Sequence, residues 1–446
     1  MKIAAIICEY DPFHNGHKYL IEETRRRTEC DGVVCVMSGS FTQRGQPAIC
    51  DKWLRAEAAL LGGADMVIEL PFFYAVSSAQ FFAAGAINAA AALRADAVAF
   101  GTEAGCGESE LRQLADARLA PGFGAAVKKL IAAGASYAAA ATSAAAAVDV
   151  IKVDTGTDPV VEKKVDTGTD PVSNPGAETR LGPNSILGAE YVAAARRIGY
   201  EPEWCVVPRE GAGHGEEKPV DRFASATYLR AQLQHEDWAA RIAPYVPEST
   251  LKLLKKWSET EQFVTTEAFS TAITAILRGT EAESTEKLPF GSGGVGRMVH
   301  KNAQKYSDWS RIVRESTSAR YQSSRISRLL VHALVSTNAK DRLTAAELER
   351  VYGQGAIPYV RVLGVRKGSG QALLGEVSKR LRRGVALITS PGDYMRGDRP
   401  VLSTLGMKML RADVRAQAVY SAALRGTART AADRDLTQKI LIVDDE

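Results

Sequence analysis

Residues 3–17 of the 446-residue chain read IAAIICEYDPFHNGH and join an apolar run to a polar turn that carries two histidines. The apolar run predicts a buried first strand, and the turn predicts the start of a helix. An open α/β sheet places its ligand at such a turn, where backbone N–H groups and the positive end of the helix dipole face an anion. His14 and His17 add donors that can follow charge as it develops on a phosphoryl group, so the turn indicates nucleotide chemistry.

The spacing of the two histidines supports this interpretation. His14 and His17 are three positions apart, so both face one side of the first helical turn. Gly16 leaves space for the close approach of a base or ribose. A pair of surface histidines is the simpler alternative, but their position on the first strand–helix turn favours a functional role. A metal site is disfavoured because no suitable third ligand lies nearby.

Short β-branched runs alternate with helical patterns through the first half of the chain. Strands are expected at 3–7, 33–37, 66–70, 97–100 and 205–207, and helices at 16–27, 52–61, 77–93, 108–132 and 185–198. This alternation predicts an α/β fold with a Rossmann-like, mainly parallel sheet covered by helices on both faces.

The second half reads mainly as helices, with strands expected only at 359–365 and 386–389. We therefore expect a catalytic domain at 1–234 and a mostly helical domain at 235–446. The nine residues KVDTGTDPV occur twice, at 152–160 and 164–172, within a low-complexity loop at about 150–176. The loop suggests no chemistry, since its aspartates lack the spacing and the closing glutamate of a calcium loop.

Composition narrows the class of protein. The chain is 46% apolar and 24% charged with a net charge of +4, which is typical of a globular protein and neither demands nor excludes a nucleic-acid partner. Its six cysteines form no Cys-x-x-Cys pair, which favours reduced thiols and a cytoplasmic location. Hydroxyl side chains interrupt the alanine-rich stretch 132–148, so a membrane span is not expected.

Three further segments are candidates for binding phosphate or nucleotide. In SATYLR, residues 225–230, hydroxyls and an arginine on one turn can hold phosphates, although a simply capped helix is an equal alternative. Lys52 and Arg55 share a helix face and could meet phosphate or carboxylate, although a solvated amphipathic helix is the simpler interpretation. The sequence after strand 97–100 could read an adenine edge, and the glycine-rich turn that begins at Arg209 is a weaker candidate.

A basic stretch at 297–328 indicates a nucleic-acid partner. It carries eight arginines and lysines against two acidic residues, with three aromatic residues interleaved. This composition suits a nucleic-acid backbone better than the alternative of a solvated helix pair.

Together these motifs resemble the bacterial tRNA(Met) cytidine acetate ligases, within the HxGH nucleotidyltransferase superfamily. The similarity extends over EYDPFHNGH (9–17), VMSGSFTQRGQPAICDKWLRAE (36–57), DMVIELPFFYA (65–75), FGTE (100–103), GPNSILGAEY (182–191), REGAGHG (209–215) and SATYLR (225–230). SSRISRLLVHAL (323–334) and PYVRVLG (358–364) also resemble the C-terminal region of that family.

The resemblance implies a ligase that activates acetate with ATP as acetyl-adenylate and acetylates the wobble cytidine of elongator tRNA(Met) to N4-acetylcytidine. It implies His14, His17 and Lys52 as catalytic residues, Mg²⁺ shared by the phosphates, and tRNA contacts from Arg320, Arg325 and Arg328. The expected ATP contacts are Cys8, Glu9, Tyr10, Asp11, Pro12, Phe13, His14, Asn15, Gly16, His17, Lys18, Gly101, Asn184, Arg209, Ser225 and Thr227.

Three positions depart from the family pattern. Asp11 and Ser40 stand where asparagine is usual, and His214 stands where tyrosine is common. Asp11 places a negative charge beside the triphosphate site, and we expect its side chain to cap the first helix instead.

Two other functions remain open at this point. The first half of the chain is equally compatible with a nucleotidyltransferase that adenylylates or cytidylylates a small phosphate-bearing acceptor. A non-catalytic RNA-binding protein is disfavoured because both the histidine turn and SATYLR are intact. The long, partly basic second half favours a large polyanionic substrate.

Overall fold

The computed structural model describes residues 1–103, 106–133, 140, 143–144, 182–209, 219–318, 320–336, 338–399, 402–425 and 433–444. The duplicated loop and His214 lie outside the described residues.

Within the described chain, eight strands form one mixed sheet in the order β5-β4-β1-β2-β3-β6-β7, with β8 paired to β6. The strands are β1 (Ile3–Cys8), β2 (Gly32–Ser38), β3 (Met66–Leu70), β4 (Ala97–Thr102), β5 (Glu203–Pro208), β6 (Tyr359–Arg366), β7 (Ala386–Ile388) and β8 (Leu441–Val443). The first five strands are parallel to one another, which confirms the predicted Rossmann-like sheet.

Helices cover the sheet. In the first half these are α1 (Asn15–Thr28), α2 (Lys52–Leu61), α3 (Phe72–Ala75), α4 (Ala79–Ala92), α5 (Glu108–Leu119), α6 (Phe123–Ala132), α7 (Pro183–Arg197) and α8 (Ala226–Gln232). The helix expected at 108–132 is two helices, because Pro121 and Gly122, the latter at φ +89°, interrupt it. No described helix is both long and apolar enough to cross a membrane.

The second half is mostly helical, as predicted. Its helices are α9 (Trp238–Ile242), α10 (Glu248–Thr260), α11 (Ser270–Arg278), α12 (Ala282–Glu286), α13 (Val295–Ala303), α14 (Trp309–Ser316), α15 (Ser323–Val335), α16 (Ala345–Leu348), α17 (Ser369–Arg380), α18 (Pro391–Arg396), α19 (Thr404–Ser421) and α20 (Arg434–Thr437), with short 3₁₀ and π turns between them.

Strands from the second half also complete the sheet. β6 lies antiparallel to β3, with Glu69 opposite Arg361, and carries β7 and β8. The sheet therefore includes strands from both sides of the predicted domain boundary between residues 234 and 235. That boundary stays a prediction.

A buried cluster of four charges fastens β6 and α20 to the first half. Lys52 Nζ lies 2.8 Å from Glu69 Oε1 and 2.7 Å from Asp435 Oδ2, and Arg361 NH1 lies 2.8 Å from Glu69 Oε2 and 2.7 Å from Asp435 Oδ2. All four side chains are at most 3% exposed. Burial alone would raise the pKa of Asp435, but Arg361 and Lys52 outweigh it and lower that pKa, so the carboxylate stays ionised.

Removing Asp435 from this cluster should destabilise the protein strongly, since it leaves two buried cations to share the single carboxylate of Glu69. We predict that Asp435→Ala lowers the free energy of unfolding by about 3–5 kcal/mol. Exposed Asp433, two residues earlier, gives the matched control, and Asp433→Ala should change that free energy by no more than about 0.5 kcal/mol. Urea unfolding measures both, and equal effects would contradict the structural role of the cluster.

Candidate functional site

The histidine turn is built by hydrogen bonds between its own backbone and rings. His14 is the N-cap of α1, and its side chain accepts from the Gly16 N–H at 3.1 Å through Nδ1. His17 Nδ1 accepts in return from the His14 N–H at 3.2 Å. The two imidazoles therefore form a reciprocal capping box in the positions usually taken by a hydroxyl and a carboxylate.

These bonds select the tautomer of both rings. Because each Nδ1 accepts a proton donor, the ring proton of each neutral imidazole resides on Nε2. No described residue accepts from either Nε2. The rings stack with centroids 3.6 Å apart, so their donor edges lie side by side.

The environment keeps the rings uncharged. Burial lowers the pKa of His14 to about 3, with the positive charges of Arg209 and Arg230 acting in the same direction. Burial, His14 and Arg209 lower the pKa of His17 well below its ordinary value. The pair therefore offers two neutral N–H donors rather than two cations.

A pocket opens beside the two rings. His14, Gly16 and His17 from the first turn, Gly101 from β4 and Arg209 after β5 line it together. In the sheet, β1 has β2 on one side and β4 on the other, so the order of strands changes direction at β1. The pocket lies on the β4 side of β1, which is the ligand position expected of an open α/β sheet. Residues from three distant parts of the sequence thus form one site.

Apolar residues that the sequence analysis missed form the rest of the wall. Tyr19 and Leu20 line the pocket from α1, and Phe223 lines it from the segment before α8. Tyr19 and Leu20 could have been found, since they follow His17 on the same helix. Phe223 gave no sequence signal, because only the tertiary fold brings that segment to the turn.

The other residues of the first turn are not among those that line the pocket. Cys8, Tyr10, Pro12 and Phe13 are buried, and Tyr10 OH lies 3.2 Å from Cys35 Sγ. Asn15 Nδ2 donates to the carbonyls of Arg222 and Pro244, at 3.0 and 3.1 Å. Exposed Lys18 lies 4.0 Å from Glu22.

Asn184 is held beside the pocket rather than placed among its lining residues. Its Nδ2 donates to Glu103 Oε1 at 2.8 Å, and Ser185 Oγ donates to Glu103 Oε2 at 2.5 Å. Glu103 follows Gly101 by two residues, so the FGTE and GPNSILG motifs meet at the end of β4.

The expectation that Asp11 caps the first helix is wrong, because His14 takes that position. Asp11 Oδ1 instead accepts from the Ile49 N–H at 2.6 Å. Arg230 lies 3.5 Å from the other carboxylate oxygen and donates to the Asp11 carbonyl at 2.9 Å. The carboxylate charge is therefore turned from the rings and offset by Arg230.

In the SATYLR segment, Ser225 Oγ accepts from the Tyr228 N–H at 3.1 Å and caps α8, which agrees with the alternative of a capped helix. Thr227 Oγ1 accepts from Arg230 at 3.2 Å. Through Arg230 this segment contacts the first turn, so the two motifs are brought together.

The structure corrects the assignment of Lys52. Its ammonium is fully buried between Glu69 and Asp435 and leaves no donor for ATP. Arg55 is also fully buried and donates to the carbonyls of Glu9, Ser38 and Gly39. Neither residue contacts a phosphate site or solvent, so both interpretations of this helix face are wrong.

The structure also corrects one of the three predicted tRNA contacts. Arg328 is only 9% exposed and donates to the Gln43 carbonyl at 2.7 Å. Arg325 is half-buried and donates to the carbonyls of Phe290 and Ser292, whereas Arg320 is exposed beside Tyr321. The exposed cations of the stretch are Arg297, Lys301, Lys305, Arg311, Arg314 and Arg320.

Of the other departures from the family pattern, Ser40 is explained by packing, since its buried hydroxyl donates to Gln417 Oε1 at 2.7 Å. The expected Mg²⁺ has no protein site among the described residues, where no group of three or more histidine, cysteine, aspartate or glutamate side chains could hold a metal. The rings beside the pocket present N–H donors, whereas Mg²⁺ prefers oxygen ligands, so neither ring is a candidate ligand of the ion.

The chain matches the family model described as HIGH Nucleotidyl Transferase over residues 1–435. It is similar to the tRNA(Met) cytidine acetate ligase of Caldanaerobacter subterraneus subsp. tengcongensis, with 33% identity over 88% of this chain and 90% of the relative. It is 34% identical to the enzyme of that name from Anoxybacillus flavithermus, over 89% of this chain and 91% of the relative.

Solved structures agree with this similarity over the whole length of both chains. The apo form of Thermotoga maritima TmcAL superposes with a TM-score of 0.83 at 25% identity. The same protein bound with alpha-thio ATP superposes with a TM-score of 0.81.

The neutral state of His14 can be tested directly. Because burial and two arginines disfavour the imidazolium, we predict that the ring of His14 stays neutral from about pH 8 to about pH 5. Nuclear magnetic resonance of the imidazole carbons over this range measures it, with exposed His235 as the internal control. Titration of His14 near its ordinary pKa of about 6.5 would contradict the assignment.

Proposed function

Because the chain belongs to the tRNA(Met) cytidine acetate ligase family of HIGH nucleotidyl transferases, we propose that it activates acetate with ATP and acetylates the wobble cytidine of elongator tRNA(Met). The observation that carries the proposal is the stacked histidine pair, whose two Nε2–H donors face a pocket at the end of β1. ATP is the nucleotide, and we place the enzyme in the cytoplasm with its tRNA.

In the first step, a carboxylate oxygen of acetate attacks the α-phosphorus of ATP. The bond to the bridging β-phosphate oxygen breaks, and pyrophosphate leaves with the electron pair. Negative charge develops on the α-phosphate, and the Nε2–H groups of His14 and His17 donate to it together with the N-terminus of α1. Because acetate is already an anion, this step needs no nucleophilic side chain and releases no proton.

In the second step, the exocyclic amine of cytidine attacks the carbonyl carbon of acetyl-adenylate. The new N–C bond forms as the mixed anhydride bond breaks, AMP leaves with the electron pair of the broken bond, and the amine nitrogen gives up one proton. The protein contributes mainly by positioning the two reactants, since both steps are direct displacements.

We assign the remaining ATP contacts by position. In the first turn, Cys8 and residues 10–18 would hold the phosphates, whereas the Glu9 carboxylate is held by Ser38 and Gln43 instead. Gly101 would hold the edge of adenine, and Arg209 the ribose or a phosphate. Ser225 and Thr227 would bind the outer phosphates, supported by Arg230, which already joins their helix to the turn. Asn184 would act beside Glu103 at the adenine end.

We further propose that residues 235–446 bind tRNA through the exposed cations of the basic stretch. Lys301 and Lys305 on and after α13, and Arg311 on α14, have no ion-pair partner among the described residues. Arg311 lies over the ring of Tyr306, with 4.3 Å from its guanidinium carbon to the ring centroid. An exposed cationic surface with aromatic rings suits the phosphates and unstacked bases of an RNA loop.

The proposed activity predicts acetate-dependent exchange between pyrophosphate and ATP, and N4-acetylcytidine in tRNA after incubation with ATP, acetate and bulk tRNA. Isotope exchange and nucleoside mass analysis measure the two products. His17→Ala removes one transition-state donor and should slow the exchange about a hundredfold or more. His235→Ala, which removes an exposed histidine, should leave the exchange unchanged.

Two results would contradict the proposal. Absence of acetate-dependent exchange, with turnover of a small phosphorylated acceptor, would favour the other nucleotidyltransferase reaction. Undiminished exchange in His17→Ala would remove that histidine from the mechanism.

The tRNA surface predicts a change in salt dependence. Replacing Lys301 and Lys305 by alanine should weaken tRNA binding and reduce the slope of log K against log salt by about 1.4–1.8, the amount expected for two lost phosphate contacts. Filter binding at several salt concentrations measures this slope. Lys128→Ala with Lys129→Ala, two exposed lysines of α6, is the matched control. An unchanged slope in the Lys301 and Lys305 variant would place tRNA elsewhere.

A further inference from the structure

Glu9 lies at the boundary between the nucleotide pocket and the second half of the chain. It directly follows β1, and its Oε1 accepts from Ser38 Oγ at 3.2 Å and from the Gln43 N–H at 2.7 Å. Both partners belong to the β2 side of β1, whereas the histidine pocket opens on the β4 side. The Glu9 carboxylate is therefore held on the β2 side of the first turn.

The surroundings fix this carboxylate in place. Arg55 NH1 donates to the Glu9 carbonyl at 2.6 Å, and Arg328 from α15 donates to the Gln43 carbonyl at 2.7 Å. Arg328 thereby orients the peptide segment whose N–H binds Glu9. A group held in this way needs little reorganisation when a reactant arrives.

One oxygen of the carboxylate remains available. Both hydrogen bonds go to Oε1, and no described residue donates to Oε2. The side chain is half-buried, so part of it is open to solvent.

Besides Arg55 of α2, the titratable groups around Glu9 come from its own turn and from three helices. Asp11 from its own turn repels the carboxylate, Arg230 from α8 and Arg328 from α15 attract it, and the phenol of Tyr191 lies near it on α7. Burial is the largest effect and raises the pKa of Glu9 above its ordinary value. A raised pKa makes a carboxylate a better proton acceptor near neutral pH.

The two half-reactions differ in their need for such a group. Acetate attacks as an anion and carries no proton to lose. The cytidine amine must lose a proton as it forms the amide, and its N4–H₂ group is a donor that carboxylates recognise. A carboxylate held at the first turn is therefore matched to the second step alone.

We propose that Glu9 is the catalytic base of acetyl transfer, an inference that rests on the proposed function. Its Oε2 accepts a hydrogen bond from the exocyclic amine of the acceptor cytidine. As the amine nitrogen bonds to the acetyl carbon and the bond from that carbon to the AMP oxygen breaks, one amine proton passes to Oε2. AMP leaves with the electron pair of the broken bond.

Glu9→Gln tests this step because it keeps an oxygen for Ser38 and Gln43 but removes the base. Acetate-dependent exchange of pyrophosphate with ATP should stay within about threefold of the wild type. Single-turnover transfer to tRNA should fall about a hundredfold or more. Glu29→Gln, at an exposed glutamate of the same chain region, should leave both rates unchanged.

The pH profile separates a base from a merely structural residue. In the wild type, the transfer rate should fall at low pH with an apparent pKa above the ordinary glutamate value of about 4.3, because Glu9 must be ionised to accept the proton. This acid limb should be absent in Glu9→Gln. Glu9→Asp retains a carboxylate on a shorter arm and should transfer more slowly while keeping the limb.

Unchanged transfer in Glu9→Gln would overturn the inference, and so would an acid limb that persists in that variant. The inference would also fail if Glu9→Gln lost exchange and transfer together and Glu9→Asp lacked the acid limb. A wild-type protein without acetate-dependent exchange would instead overturn the proposed function. Exchange activity also reports that each variant is folded.

Discussion

The buried cluster of Lys52, Glu69, Arg361 and Asp435 is the constraint on which the arrangement of the two halves depends. Burying four charges costs much free energy unless each charge contacts one of opposite sign. The four elements that carry them, β3, β6, α2 and α20, must therefore keep their relative positions. Asp51, the N-cap of α2, adds an ion pair to Arg434 on α20. The second half is thereby attached to the sheet edge that carries the site.

At the carboxyl edge of the sheet, two regions lie on either side of β1. On the β4 side, the histidine pair and Arg209 face the nucleotide pocket. On the β2 side, Ser38, Gln43 and Arg328 surround Glu9. The histidine donors and the Glu9 carboxylate thus lie on different sides of β1 at one edge of the sheet, an arrangement that suits the two consecutive reactions proposed above.

The histidine turn gains its chemistry from hydrogen bonding and burial rather than from positive charge. Each ring uses one nitrogen to cap α1 and presents the other as a neutral donor. Neutral donors stabilise charge on the transition state without binding the ground-state phosphates as strongly as two cations would. Arg230, bound to the Asp11 carbonyl, supplies positive charge at a fixed distance behind the turn.

The sequence by itself determined the parallel strands, the helix that begins at the histidine turn and the family, because these follow from local periodicity and from motifs read along the chain. It did not determine the partners of Asp11, Lys52, Arg55 and Arg328, which in sequence are simply charged residues within motifs assigned to nucleotide or nucleic acid. Each of these side chains makes a hydrogen bond to a residue between 17 and 383 positions away. Only the tertiary structure decides which charges are buried against one another and which remain free for a ligand, since desolvation and pairing depend on contacts that no local pattern encodes.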